Sequence, residues 1–468
     1  MTYDDVVIGA GPNGLAAAAV LARAGRRVLV AEAGAAVGGG ARTDEAFGAG
    51  IRRDVCSAVH PTGLASPVFA DLGLSDHGLE WIVPRYSLMH GFAPGWALGM
   101  ARDRRQREAE LGRSWEIAVG WAGRAPGLAD DVFELPGRPR HPVSTARFAA
   151  GAGLPVTAFT RIAFRDSAVR TVFAGIAAHG ARPLSAPASA AAGLLLAALG
   201  ESGWPVARGG SQSISDALAA VVTGNGGTIE TGCRISDSAQ LPAEARWFFD
   251  TSPRAFVAIM GERLPARYRR RLQRFRYGPG TCKVDFLLSE PIPWADPRFA
   301  ETATFHLAAD LRQVAVAEVD AAAGRIPLRP WVLGGEPTRV DPSRAPSGTH
   351  LAWAYCHVPA HCDVDVSESI VAEIERCAPG FRDVIVEQIV TTGAAQERHN
   401  ANYVGGDIGC GAASLRQLLA RPVLSSSPQA TPVPGVYLCS AATAPGGGVH
   451  GMSGYRAARH ALGAPPAP

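Results

Sequence analysis

VVIGAGPNGLAAAAVLARAGRRVLVAE, residues 6–32, holds an apolar run, a glycine turn, an Ala-rich segment, a second apolar run and a closing acid. That order reads as strand, turn, helix, strand: a dinucleotide-binding βαβ unit. Gly9 allows the tight turn, Gly11 lets the backbone approach a pyrophosphate, and Gly14 lets the helix pack closely on its sheet. The helix opens near Asn13, where free N–H groups and the positive end of the dipole favour phosphate. Glu32, ending the second strand, is placed to accept from ribose hydroxyls. A bare glycine fingerprint is weak; here the flanks on both sides agree with it.

The next segment, AAVGGGART at 35–43, adds a second glycine cluster that ends in a basic residue. FAD sites carry this addition. The pair of motifs resembles the glutathione-reductase-like FAD superfamily, in the branch with phytoene desaturases, carotenoid isomerases and flavin amine oxidases. The resemblance implies that Arg42 approaches the pyrophosphate. It also implies that the Gly-Gly segment and strand within 204–235 lie beside the cofactor, with Gly209, Gly210 and Ile235 as contacts.

A second strong signal stands at 435–462, GVYLCSAATAPGGGVHGMSGYRAARHAL: an apolar strand, a small-residue loop, three consecutive glycines, then a helix starting near Met452. Gly447 and Gly448 permit close approach of a flat ring, and Gly451 removes bulk where the helix begins. A helix start aimed at the pyrimidine end of a flavin would stabilise charge developing on reduction. With NYVGGDIGCGAASLRQLLARPV at 402–423, the segment resembles a phytoene-desaturase-like family of FAD-dependent oxidoreductases over nearly the whole chain. Ser440, Ala441 and Ala442 stand where many superfamily members have Gly-Asp, so the ribityl chain needs other groups.

Composition narrows the class. The 468 residues suffice for two or three domains, and 47% hydrophobic content is globular. A formal charge of +3 gives neither a nucleic-acid footprint nor a polybasic membrane surface, so a small-molecule partner is expected. Eight scattered cysteines form no CxxC pair, which excludes the usual redox disulfide and gives no metal pattern; a reducing cytoplasm follows. The strand histidines His350, His357 and His361 do not make a metal site. No secretory signal precedes the first strand, and the apolar run at 186–199 is too short and too interrupted to span a membrane. It reads as a buried helix, or as an apolar lip for a lipophilic substrate, which leaves room for peripheral membrane contact. The Ala/Pro tail after Leu462 reads as unstructured.

The expected fold is α/β: a Rossmann-like FAD-binding domain with a parallel sheet and an inserted α+β substrate domain. The FAD-binding domain is expected from 1–80, 204–255 and 390–468, and the substrate domain from 81–203 and 256–389. TCKVDFLLSEPIPW at 281–294 and HLAWAYCHVP at 350–359 read as strands of the substrate-domain sheet.

A flavin supplies hydride acceptance at N5, so few catalytic side chains are needed. Lys283, the only lysine of the chain, resembles the lysine that holds a water near N5 in flavin amine oxidases; a partner in Asp285 is the structural alternative. His450, in the glycine loop, and His60 are the other catalytic candidates. The expected reaction is desaturation of a small or medium lipophilic substrate, with oxygen, a quinone or another acceptor finishing the cycle. Amine oxidation, double-bond isomerisation and a non-catalytic flavin-binding scaffold are the alternatives. No GxSxG elbow, Walker loop or HExxH helix occurs.

Overall fold

The computed structural model describes residues 2–463 apart from 125, 126, 136 and 138; the Ala/Pro tail at 464–468 lies outside the described residues. Five parallel strands form one sheet, in the order Val436–Leu438, Arg246–Phe249, Asp5–Ile8, Val28–Ala31 and Thr228–Glu230. Their nearly unbroken apolar runs suit a sheet covered on both faces. Val7, Val30 and Phe248 pack one way, with the helices Pro12–Arg23, Gln212–Gly224 and Met452–Ala461. Val6, Ile8, Trp247 and Phe249 pack the other way, with Pro253–Met260 and Ala266–Gln273. The α/β fold expected from the sequence is the fold observed.

The first helix begins immediately after Gly11, with Pro12 in its opening turn. Gly9 has φ +99°, and a Cβ on Gly14 would stand 2.1 Å from the Gly9 carbonyl oxygen, so both glycines are structurally required. The closing helix crosses the first at backbone contact: a Cβ on Gly454 would lie 1.7 Å from the Asn13 carbonyl oxygen.

A second, seven-stranded sheet has the order Ile385–Thr391, Gly280–Leu288, His350–Val358, Val332–Gly335, Phe305–Leu307, Tyr86–Ala93 and Trp96–Ala101. It is antiparallel except between Phe305–Leu307 and Tyr86–Ala93. Alternation decides its two faces. Cys282, Val284, Phe286, Ala352, Ala354, Cys356 and Val358 bury into a core shared with the helix Ser367–Cys377. The residues between them, Thr281, Lys283, Asp285, Trp353, Tyr355 and His357, therefore take the opposite face. One row across that face pairs Lys283 with Tyr355, Tyr355 with Leu333, Leu333 with His306, and His306 with His90.

A helical layer between residues 104 and 199 covers this face, with Trp115, Phe164, Phe173 and Leu194 packed toward Trp331 and Trp353. The expected buried helix is present as Ala190–Leu199. No helix of the described residues is long and apolar enough to cross a membrane.

Candidate functional site

A cavity of about 930 Å³ runs from the carboxyl edge of the parallel sheet to the face of the mixed sheet that the helical layer covers. A ligand at that edge lies where open α/β sheets bind theirs. Gly9, Gly11, Asn13, Glu32, Arg42, Ile235, Gly447 and Gly448 all line it, although they come from four separate stretches of chain.

At this glycine end, Glu32 accepts from Ala10 N at 2.7 Å and from Gly34 N at 2.6 Å, which fixes the carboxylate at the strand end. Arg42 donates from Nε to the Gly39 carbonyl at 3.0 Å and meets His399 Nε2 through its other end. Asn13 Oδ1 and Thr251 Oγ1 are buried without a protein partner, and both residues are on the wall. Such polar atoms are costly unless something pairs with them. A phosphate-bearing dinucleotide fits this end, which offers the positive end of a helix, a fixed carboxylate and unpaired polar atoms.

Three residues of this end escaped the sequence reading. Asp250, directly after the strand Arg246–Phe249, accepts from Gly14 N at 2.9 Å. Burial first, and the charge of Glu32 in addition, push its carboxyl up to about 7 against the hydrogen bonds from Gly14 and Gly11. Arg421 is buried and donates to the carbonyls of Ala441 at 2.9 Å, Gly409 at 3.1 Å and Gly411 at 3.2 Å. It thereby ties the 405–411 loop to the loop before the three glycines. Tyr403 packs its hydroxyl where a Cβ on Gly40 would stand, 1.9 Å away. An acid closing a third apolar strand was a readable sign for Asp250; nothing local marked the other two.

The remaining cofactor candidates are placed off the wall. Gly14 lies under Asp250, and Gly451, with φ +69°, turns the chain against Ala16 and Phe69. Met452 is buried in the core beside the first helix. At these two residues the start of the closing helix packs on protein. Gly209 donates to Asp341 at 2.7 Å, and Gly210 packs on Thr43, also away from the cavity.

The three expected catalytic side chains are likewise absent from the wall. Lys283 Nζ is buried, donating to the Asp54 carbonyl at 2.8 Å and pairing with Asp285, whose other oxygen meets Arg53 at 2.7 Å. His60 is buried with Nε2 2.9 Å from Ser211 Oγ, and burial lowers it to about 4. His450 Nδ1 accepts from Met452 N at 3.1 Å, and burial again holds it at about 4. Each is committed to the scaffold around the cavity.

The far end carries different chemistry. Leu195, Leu196, Phe148, Leu333, Trp353 and Trp204 make it largely apolar. Among them stand His179, Tyr355, His357, Thr281 and Thr304. His357 Nδ1 lies 2.7 Å from Glu318 Oε1, both residues being buried. Burial opposes a charge on His357, but the Glu318 carboxylate outweighs it and holds the imidazole above its ordinary value. His179, 3.0 Å from His306, is instead lowered to about 3 by burial and by the charge of His357. The strand ends at Val358, so His361, at φ +61°, leaves the face that carries His357 and meets Glu397 at 3.0 Å.

Comparison with known proteins agrees with the architecture. Residues 7–72 match the NAD(P)-binding Rossmann-like domain family. The chain is 25% identical to the pyridine nucleotide-disulfide oxidoreductase domain-containing protein 2 of Rattus norvegicus, over 97% of this chain and 92% of that protein. The Mus musculus protein of the same name has the same identity and coverage. Among solved structures, an oxidoreductase from Methanosarcina mazei superposes with a TM-score of 0.64 at 16% identity, covering 98% of this chain and 99% of its own. Cyclohexylamine oxidase from Brevibacterium oxydans gives 0.58 at 15% identity, covering 99% and 98%. Putrescine oxidase bound to putrescine gives 0.60 at 17% identity, covering 99% of each chain. At these identities the likeness is one of fold.

Proposed function

We propose that the chain is an FAD-dependent oxidoreductase that dehydrogenates a small or medium lipophilic substrate. The observation that carries this reading is one continuous cavity, with dinucleotide-type residues at one end and an apolar, aromatic end under the mixed sheet. Gly9, Gly11 and Asn13 would receive the pyrophosphate, Glu32 a ribose, and Ile235 the adenine side. Arg42 would add positive charge, while Gly447 and Gly448, with Ser440 and Ala441 before them, would border the ring and its ribityl chain. When bound, FAD supplies hydride acceptance at N5 and passes electrons on to oxygen or a quinone. The protein's own part is to orient a C–H bond, exclude water through the apolar wall and hold charge around the site. Lys283 acts from behind that wall by fixing Asp285 and the Asp54 backbone.

Amine oxidation is the second reading. It is favoured by the fold shared with putrescine and cyclohexylamine oxidases and by Trp353 and Tyr355, whose rings lie 6.3 Å apart and nearly parallel on the cavity wall. The test of the shared claim is the absorption spectrum of the purified protein, followed by acid release of its chromophore. Two flavin bands and released FAD support the reading. A colourless chain that cannot be reconstituted with FAD sinks it.

A further inference from the structure

The pair His357–Glu318 is a buried histidine and carboxylate 2.7 Å apart on the apolar side of the cavity. Glu318 comes from the helix Leu311–Ala322 and is 1% exposed; its Oε2 has no protein partner. A carboxylate in such a place is expensive unless its charge is used. Because a carboxylate only accepts, His357 Nδ1 must carry the hydrogen toward Glu318, which leaves Nε2 as the acceptor of the ring. His357 itself is on the cavity wall.

Its surroundings are prepared for a polar group. Thr281 is the direct cross-strand neighbour of His357, and its Oγ1 is buried without a partner. Thr304 Oγ1, on the same wall, is also buried and unpaired. Trp331 and Tyr355 flank the His357 ring at 5.7 and 5.9 Å between centroids. An apolar cavity with a few convergent polar atoms is the usual design of a small-molecule site.

We propose that His357, positioned by Glu318, accepts the proton of the substrate, and that the substrate carries a hydroxyl or amino group on the carbon to be oxidised. This rests on the FAD reading above and deepens it. In the step, the hydroxyl or amino hydrogen leaves as a proton to His357 Nε2. The hydrogen on carbon leaves with its electron pair to the flavin, and the electrons of the broken O–H or N–H bond form the new C=O or C=N bond. Thr281 and Thr304 hydrogen-bond the heteroatom. The groups facing His357 are Glu318, which raises it, the more distant Asp407, which also raises it, His179, which stays neutral, and the Tyr355 ring.

The test uses the FAD-loaded full chain under anaerobic conditions, with benzyl alcohol, cyclohexanol, benzylamine and cyclohexylamine as probes and flavin bleaching as the readout. One class bleaches the flavin. The alcohols do not titrate near neutrality, so a rate limb rising with pH in that arm belongs to the protein. His357→Gln removes the limb and slows bleaching by roughly a hundredfold or more. Glu318→Gln moves the limb to lower pH, because the charge that raised His357 is gone. Melting curves and FAD content of both variants control for folding; a purely structural pair would lower the melting temperature and leave the limb in place. A yellow protein that no probe bleaches, or a His357→Gln variant that keeps both rate and limb, overturns the inference. A protein that binds no FAD overturns the reading beneath it, and is recognised by its missing colour.

Discussion

Asp250 Oδ2 lies 2.9 Å from Gly14 N, so a buried carboxylate already accepts from the amino end of the helix that opens the dinucleotide fold. It is also 2.6 Å from where a Cβ on Gly11 would stand. Bound phosphates and this carboxylate would share one region of positive helix potential.

Its titration therefore couples to cofactor binding. Burial, then Glu32, raise the Asp250 carboxyl to about 7, and its charge in turn adds to the burial that raises the Cys410 and Cys439 thiols. Phosphates add negative charge and favour the protonated acid further, so FAD binding takes up a proton. The dissociation constant of wild type should weaken by up to about tenfold per pH unit above neutrality, while Asp250→Asn should bind with little pH dependence. Flavin fluorescence titrations between pH 6 and 9 check this. In the unliganded chain the sign is the same: a folded value above the ordinary 3.8 means stability is lost as pH rises from about 4 to about 7.

Arg344 and Asp54 form a fully buried ion pair at 2.9 Å. Burial works to raise the Asp54 carboxyl, but Arg344 and hydrogen bonds from Ser211 and Thr43 hold it below its ordinary value. Its contribution is present above the ordinary carboxylate range and lost as pH falls through the lowered value. Arg344→Met leaves the carboxylate unpaired, and a loss of about 3–5 kcal/mol is expected near neutrality. In that variant mild acid should restore stability, the reverse of wild type, as read by urea unfolding at two pH values.

Gly454→Val tests the closest helix crossing. With a Cβ position 1.7 Å from a backbone carbonyl oxygen, the closing helix must move off the first. A cost of roughly 1–3 kcal/mol or more is expected, visible as a lower melting temperature together with weaker FAD retention.

Lys283 is the only lysine and its side chain is 4% exposed. An amine-selective ester should leave it unlabelled in the native chain and label it on denaturation, as mass spectrometry of the 281–294 segment would show. Fast native labelling of Lys283 contradicts the buried pairing with Asp285.

The parallel sheet was legible because its information is local: apolar runs, three spaced glycines and an acid within 6–32. The cavity's glycine end was legible for the same reason, since Gly9, Gly11, Glu32, Gly447 and Gly448 are tied to motifs. The pairing of Lys283 with Asp285 was legible as one of two alternatives, because Asp285 sits two residues on and alternation places it on the same face; Arg53, 232 positions before Asp285 in sequence, completes the arrangement and was not. The His357–Glu318 pair carries no local pattern. One member is a strand residue and the other a helix residue, and only the packing of Leu311–Ala322 beneath the mixed sheet brings them together. His179 and His306 meet in the same way.

The central claim is that the glycine-lined end of this cavity takes FAD. The most direct measurement is a calorimetric titration of FAD, and separately of NAD and NADP, into protein stripped of any chromophore. The account predicts one FAD per chain, bound far more tightly than either nicotinamide dinucleotide, and loss of that binding in Gly11→Val. Saturable binding of NAD or NADP with none of FAD would contradict it.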